Sequence, residues 1–395
     1  MSPEDAGVAA ANFTGTAKKP SFENDVPSLF KKPERTKRNL IKAPSKKPAA
    51  AEAAAPVMGV SNCGPALRKY LSQHGQEKYD PGLREELVAA YNSVGESAGR
   101  ILKNVMNGCR QVDFTQINQS ALIFVDNLKA DFDCSLNVVF EATQDEDLTK
   151  HAMSTAIVAM AIAIELGLDL ENVRQIGVIS LVQDWGMAQV PIDIRNLDRP
   201  LTQLEQLEIR KHPHYTAELL TQIPSLPSYI HTVAYQIHER PDGSGYPRGL
   251  HDQNIHLFAK IIHVADEYVA MISRRPHRQP IMPYSVMECL LREAERQRVD
   301  SQVVRALLHV LSLFPVGSFV RLSDESTAQV VRSNGENFAS PVISRVEDKD
   351  GNPIDPAIWD TIVDLSMSDL RVAEALPTPG REEIVFNHEI LTRHT

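Results

Sequence analysis

Apolar residues recur at helical spacing over most of the chain. Between about 82 and 142, Leu87, Ala90, Tyr91 and Val94 share one face, and Ile123, Val125, Leu128 and Phe132 mark a second segment. This spacing predicts two or three amphipathic helices. The most apolar segment, Ala156 to Leu166, is hydrophobic nearly all round and so belongs at the centre; Gly167 is a natural C-terminal cap, and Leu168-Asp169 leads into a helix over Leu170 to Val182. Helical pattern also covers Leu204 to Leu220, Tyr229 to Ile237, Leu257 to Ile272 and Tyr284 to Leu313. After Phe314-Pro315 the period changes to short β-branched runs, Ser318 to Leu322, Ala328 to Val331 and Pro341 to Val346, with Asp350-Gly351-Asn352-Pro353 as a turn. The expected fold is mainly α, a helical bundle with a small C-terminal β appendage. No internal repeat of 20 to 50 residues stands out.

Composition adds a division of the chain. Residues 1–56 carry ten Lys and Arg and six Asp and Glu among repeated Ala, Lys and Pro, a composition that cannot bury enough apolar surface to offset its ordering entropy. A disordered basic tail is expected there, followed by an N-terminal helical region over 57–142, a helical core over 143–313, and a β-rich extension and tail over 314–395. The whole chain has 395 residues and a net charge of -10; without the tail, 31 basic and 45 acidic residues leave -14. A field of that sign disfavours general nucleic-acid binding, so an anionic ligand must be held locally. Cys63, Cys109, Cys134 and Cys289 show no disulfide framework or zinc spacing. No apolar run reaches the roughly 18 to 20 residues of a membrane span, and the first residues do not resemble a secretory signal. A cytoplasmic protein is expected.

One segment stands apart: His238-Glu239-Arg240-Pro241-Asp242-Gly243-Ser244-Gly245-Tyr246-Pro247-Arg248-Gly249-Leu250. Its glycines and prolines exclude a helix, and exposed glycine amides can approach an anion closely. His151 opens the most apolar helix, with Asp147 one turn earlier. Asp184 follows the apolar run Val178 to Val182, Asp266 lies within Lys260 to Ala270, and His212 precedes Pro213. A carboxylate among such neighbours is costly unless paired or metal-bound. Alone, each His reads as a core or surface residue and each Asp as a cap. Two aspartates, Asp184 and Asp266, and three histidines, His151, His212 and His238, each on a different helix or helix end, are what a bundle needs to hold divalent metal.

These residues, with Gly245-Tyr246-Pro247, Arg210-Lys211-His212-Pro213 and Arg274-Arg275-Pro276-His277-Arg278, resemble the HD-GYP domains, a branch of the HD superfamily of metal-dependent phosphohydrolases associated with hydrolysis of cyclic di-GMP in bacterial signalling. The resemblance runs over roughly 82 to 346. It implies two divalent metals, iron, manganese or similar, bridged by Asp184. His151, Asp184, Asp266 and Asp147 would hold one, and Asp184, His212 and His238 the other. It also implies that Arg275 and Arg278 grip phosphate and that Gly245, Tyr246 and Pro247 contact the cyclic dinucleotide.

The chain departs from the family at three of these positions. Gln183 stands in place of the first member of the His-Asp pair, Met187 in place of a Lys, and Ile237 in place of the first of two adjacent histidines. Glutamine offers only a weak amide-oxygen ligand, and isoleucine offers none. His263 and His231 are candidates to compensate. The expectations are therefore a cyclic di-GMP phosphodiesterase with slow turnover, an inactive receptor for a cyclic dinucleotide or a signalling protein partner, or a scaffold without ligand in which Asp184 and Asp266 are neutral or paired with arginine.

Overall fold

The computed structural model describes residues 64, 66–71, 81–143, 147–276, 278–335, 337–355 and 361–385. The expected tail over 1–56 lies outside the described residues. Three helices lead: α1 (Pro81–Met106), α2 (Phe114–Ala130) and α3 (Phe132–Ala142). Then come α4 (Leu148–Glu165) and α5 (Leu170–Val182), a 3-10 turn over Trp185–Gln189, and the short helices α6 (Ile192–Arg195) and α7 (Gln203–Ile209). The helical part closes with α8 (His212–Thr221), α9 (Ser228–Ala234), α10 (Leu257–Ile272), α11 (Pro283–Glu295) and α12 (Ser301–Leu311).

Helix α4 is the axis of the bundle. Every side chain from Ala152 to Ile164 is buried, and α1, α2, α3, α5, α10 and α12 all pack on it. Burying one such Ile or Met stabilises the fold by about 1.5–3 kcal/mol. Its ends are set locally. Asp147 accepts from the Thr149 and Lys150 amides at the N-terminus. At the other end Gly167 takes φ +81°, and Leu168 N donates back to Ala163 O, which satisfies carbonyls the helix would leave open. Asp169 and Asp300 cap α5 and α12 in the same way.

The run predicted over Leu204 to Leu220 is two helices, because Arg210 and Lys211 break α7 from α8. The run over Tyr284 to Leu313 also divides, with Gln297 at φ +59° in the turn between α11 and α12. The β-rich part forms one antiparallel sheet in the order β4-β3-β2-β1-β5, from β1 (Phe319–Leu322), β2 (Thr327–Arg332), β3 (Val342–Glu347), β4 (Ile362–Asp364) and β5 (Val372–Leu376). Val320, Leu322, Ala328, Val330 and Ile343 form its own small core with Phe314 and Leu365. Arg332 fastens it to the bundle through both oxygens of Asp131, the residue that caps α3. Among the described residues no helix is long and apolar enough to cross a membrane.

Candidate metal centre

Four elements deliver the polar side chains to one point. His151 stands on the first turn of α4, Asp184 follows α5, His212 opens α8, and Asp266 lies in the middle of α10. The 183–189 turn is tied to α8 by a single hydroxyl: Thr216 Oγ1 donates to Gln183 O at 2.7 Å and accepts from Gly186 N at 2.9 Å. Gly186 is required for that approach, since a Cβ there would lie 2.2 Å from His212 O and 2.4 Å from Thr216 N.

Two donor trios share Asp184: His151, Asp184 and Asp266 form one, and Asp184, His212 and His238 the other, each with its donor atoms within 4.8 Å of one another. His151 Nε2 lies 2.9 Å from Asp266 Oδ1 and 3.7 Å from Asp184 Oδ2, while His212 Nε2 lies 3.4 Å from Asp184 Oδ1. The Nδ1–H of His212 donates to Ile209 O at 2.8 Å, so its Nε2 lone pair faces the site, 2.8 Å from His238 Nε2. The carboxylates are 7 % and 8 % exposed.

Burial and the nearby Asp266 charge push the Asp184 carboxyl up. For Asp266 burial also opposes ionisation, but the His151 hydrogen bond and the surrounding imidazoles overcome it and hold the group below the usual carboxylate range. Asp266 is thus the more readily ionised of the two, and a cation beside Asp184 would favour its ionised form as well. Burial, reinforced by His212, drives His238 well below an ordinary histidine, leaving a neutral imidazole suited to a metal. Buried polar atoms nearly always find partners, yet His151 Nδ1, Gln183 Oε1 and both ring nitrogens of His263 have no hydrogen-bond partner. Nitrogen and carboxylate donors in this density, with unsatisfied atoms beside them, fit divalent transition-metal ions.

Above the trios opens a cavity of ≈ 610 Å³. Lys150, Arg195, Arg210 and Arg275 line it, as do Gly245 and Tyr246, so positive charge gathers locally on an acidic chain. The Gly-Tyr-Pro loop is strapped by Glu239, which is 2 % exposed and accepts from the Arg248 and Leu250 amides at 2.7 and 2.8 Å. Tyr246 stacks on His238 with ring centroids 5.0 Å apart, and the Arg210 guanidinium lies 5.2 Å from the Tyr246 centroid. The ring therefore fixes the orientation of His238.

The remaining sequence candidates are placed as follows. Gln183 sits at the site outside both trios, its Nε2 donating to Asp266 Oδ1 at 3.1 Å. Asp147 lines the cavity as an exposed cap, also outside both trios. Arg278 commits its guanidinium to the carbonyls of Ala270, Met271 and Gln279 around the end of α10, and burial brings its pKa down to about 10. Gly245 lines the cavity, while Pro247 is exposed and lies off it. Met187 lines the cavity, and Ile237 is core. Of the two candidate replacements, His263 lines the cavity and His231, on the last turn of α9, does not. Sequence reasoning missed Thr216 and Glu239, whose roles depend on backbone groups brought to them by the fold.

Comparison with known proteins bears on the same stretch. The HD domain family matches residues 141–303, the segment that carries His151, Asp184, His212, His238 and Asp266 together with the Gly-Tyr-Pro loop. Over those residues the chain carries an HD domain. It is 32% identical over 207 residues to a cyclic di-GMP phosphodiesterase of Pseudomonas aeruginosa, covering 52% of this chain and 49% of that protein. It is 36% identical over 159 residues to the cyclic di-GMP phosphodiesterase response regulator RpfG of Xanthomonas campestris, covering 38% and 40%. It is 34% identical over 157 residues to a 3'3'-cGAMP-specific phosphodiesterase of Vibrio cholerae, covering 39% and 36%. The chain spans about half the length of the first of these relatives and less of the other two. A solved HD-GYP-type protein from Bdellovibrio bacteriovorus superposes with a TM-score of 0.47 at 15% identity, covering 60% of this chain and 74% of its own. HD domain proteins are metal-dependent, and the described residues of this chain include two candidate metal-binding clusters.

Proposed function

We propose that the chain is a metal-dependent phosphodiesterase that hydrolyses a cyclic dinucleotide, cyclic di-GMP first among them, with slow turnover. The observation that carries this is the pair of donor trios joined through Asp184 beneath a cavity rimmed by arginine and lysine. His151, Asp184 and Asp266 would hold one divalent ion and Asp184, His212 and His238 the other, iron and manganese being the ions that suit these donors. Ions bound there supply Lewis-acid polarisation of the phosphodiester and a water of lowered pKa. Asp184, placed between the two imidazole groups, fixes their spacing. Arg275 and Arg210 bring positive charge over the site and orient the phosphate. Tyr246 holds the His238 ring, and the Glu239 strap holds Tyr246's loop. Slow turnover is supported by Gln183, whose amide serves as a donor to Asp266, and by Met187, which lines the cavity without the charge of a lysine. Charge stabilisation of that kind is worth a few kcal/mol to a transition state.

The same two residues favour a second reading, a receptor that binds the dinucleotide without cleaving it. Metal analysis of the purified chain combined with hydrolysis and binding of cyclic di-GMP separates the two. About two ions per chain with turnover that chelators abolish supports the enzyme. Binding without turnover at full metal loading supports the receptor, and neither metal nor binding refutes both.

A further inference from the structure

One wall of the cavity has chemistry that neither the metal trios nor the phosphate-facing cations use. On α10, one turn apart, His263 and Glu267 both line it. His263 is 4 % exposed, and neither ring nitrogen has a hydrogen-bond partner. Its Nε2 lies 3.5 Å from Glu267 Oε1, and its ring stands edge-on to His238 with centroids 6.4 Å apart. Glu267 is held in place by Arg240, whose Nη2 donates to Oε1 at 2.9 Å. Beside them Ala270, Met271 and Cys289 give the same wall an apolar floor. A buried imidazole without partners loses the hydrogen bonds it would make in water, and a carboxylate anchored from behind presents its remaining lone pairs forward. An apolar slot ending in a few fixed polar groups is the form of a small-molecule subsite. The guanidinium of Arg240 beside Glu267 disfavours a further cation here.

We propose that this wall is a guanine-reading subsite, in which an N–H of His263 donates to guanine O6 and the Glu267 carboxylate accepts from guanine N1–H and the 2-amino group. The inference rests on the reading of the cavity as a cyclic-dinucleotide site and names the base it selects. The edge of guanine presents an acceptor followed by two donors, which this donor and carboxylate complement. Adenine presents a donor and then an acceptor, so each of its groups meets a like one. Rejection is strong in such cases because the buried polar groups of the site are left without partners.

The test is calorimetric titration of the full-length, metal-loaded chain with cyclic di-GMP, cyclic di-AMP and cyclic di-IMP, whose base lacks the 2-amino group; hydrolysis is followed in parallel. The wild type is expected to bind cyclic di-GMP most tightly and cyclic di-IMP less well. Glu267→Gln should weaken cyclic di-GMP roughly tenfold to a hundredfold, the value of one bidentate base contact, weaken cyclic di-IMP less, and leave cyclic di-AMP unchanged or tighter. Because Glu267→Gln also loosens Arg240, His263→Leu is the independent arm: it should lower affinity for both bases that carry O6 and not for adenine. Metal content of each variant, read by elemental analysis, should match the wild type. Equal loss on all three ligands, or no loss in either variant, overturns the guanine subsite while leaving the cavity assignment standing. A wild type that binds none of the three overturns both.

Discussion

Gly186 touches no ligand, yet the structure makes it the residue that sets how closely α8 approaches the 183–189 turn. In Gly186→Ala the new methyl would meet His212 O at 2.2 Å and Thr216 N at 2.4 Å. Both are backbone atoms of α8, so no side-chain rotation relieves the contact. Restoring an ordinary separation of 3.4 Å requires α8 to retreat by roughly 1.2 Å, several times the tolerance of about 0.2 Å within which metal ligands must sit. The retreat carries His212 away from Asp184 and His238 and breaks the Thr216 bridge. The trio of His151, Asp184 and Asp266 lies on the other side of Asp184 and is left in place.

The expected result is a folded protein that has lost one ion of two. Overpacking of this kind costs about 1–3 kcal/mol, which at roughly 2–4 °C per kcal/mol lowers the melting temperature by several degrees without unfolding the chain. Metal content should fall from about two equivalents to about one, and phosphodiester hydrolysis by roughly a hundredfold, the usual consequence of misplacing a reacting group by 1 Å. Elemental analysis, thermal melting and a cyclic di-GMP assay on the same preparation test this. Two retained equivalents with a rate within about threefold of the wild type would refute the claim that α8 is positioned through Gly186.

Glu239→Gln keeps one acceptor for the Gly-Tyr-Pro loop but turns its amide toward a backbone N–H. Losing one charge-assisted hydrogen bond of about 1.5–3 kcal/mol should open the loop to proteolysis and weaken cyclic di-GMP roughly tenfold to a hundredfold by calorimetry. Arg332→Met leaves the carboxylates of Asp131 and Asp133 without the guanidinium that neutralises them; breaking a buried pair costs about 3–5 kcal/mol, so a drop of roughly 10 °C in melting temperature is expected, with metal content unchanged. Burial pushes the phenols of Tyr91, Tyr246 and Tyr268 up, Tyr91 to about 12. Unfolded phenols titrate near 10 and lose their protons first, so the folded state holds more protons above that pH and stability must fall as pH rises past about 10. Absorbance of phenolate near 295 nm should show these buried tyrosines titrating only as the chain unfolds.

The helical skeleton was legible because its signals are local. A run of apolar residues ending at Gly167, aspartates ahead of α5 and α12, and the period of α10 each act within one or two turns of chain. The division of Leu204 to Leu220 was not legible, since nothing in the apolar spacing marks Arg210 and Lys211 as a break. In the sheet, β1 to β3 carry β-branched residues and were read from them. β5, with its alanines and a glutamate, has little strand propensity of its own; its pairing with β1 is tertiary and overrides the local signal.

The site divides along the same line. Nothing local joins His151, Asp184, His212, His238 and Asp266, which lie on separate elements; it was the Gly-Tyr-Pro loop and its flanking motifs that allowed their meeting to be expected. What no motif carried is the support. Thr216 is an ordinary helical threonine until Gln183 O and Gly186 N arrive beside it, and Glu239 is an ordinary loop glutamate until Arg248 and Leu250 turn their amides inward. Gln183 shows the consequence for function. Its side chain meets Asp266 as a hydrogen-bond donor and leaves a buried oxygen without a partner, so on the proposed reading it would offer a metal no nitrogen ligand while favouring an ionised Asp266. On the proposed reading, the departures at positions 183, 187 and 237 would weaken catalysis, while Arg210, Arg275 and the His263–Glu267 wall still line the cavity. Recognition and turnover can therefore vary independently in this chain, which is why binding has to be measured apart from hydrolysis.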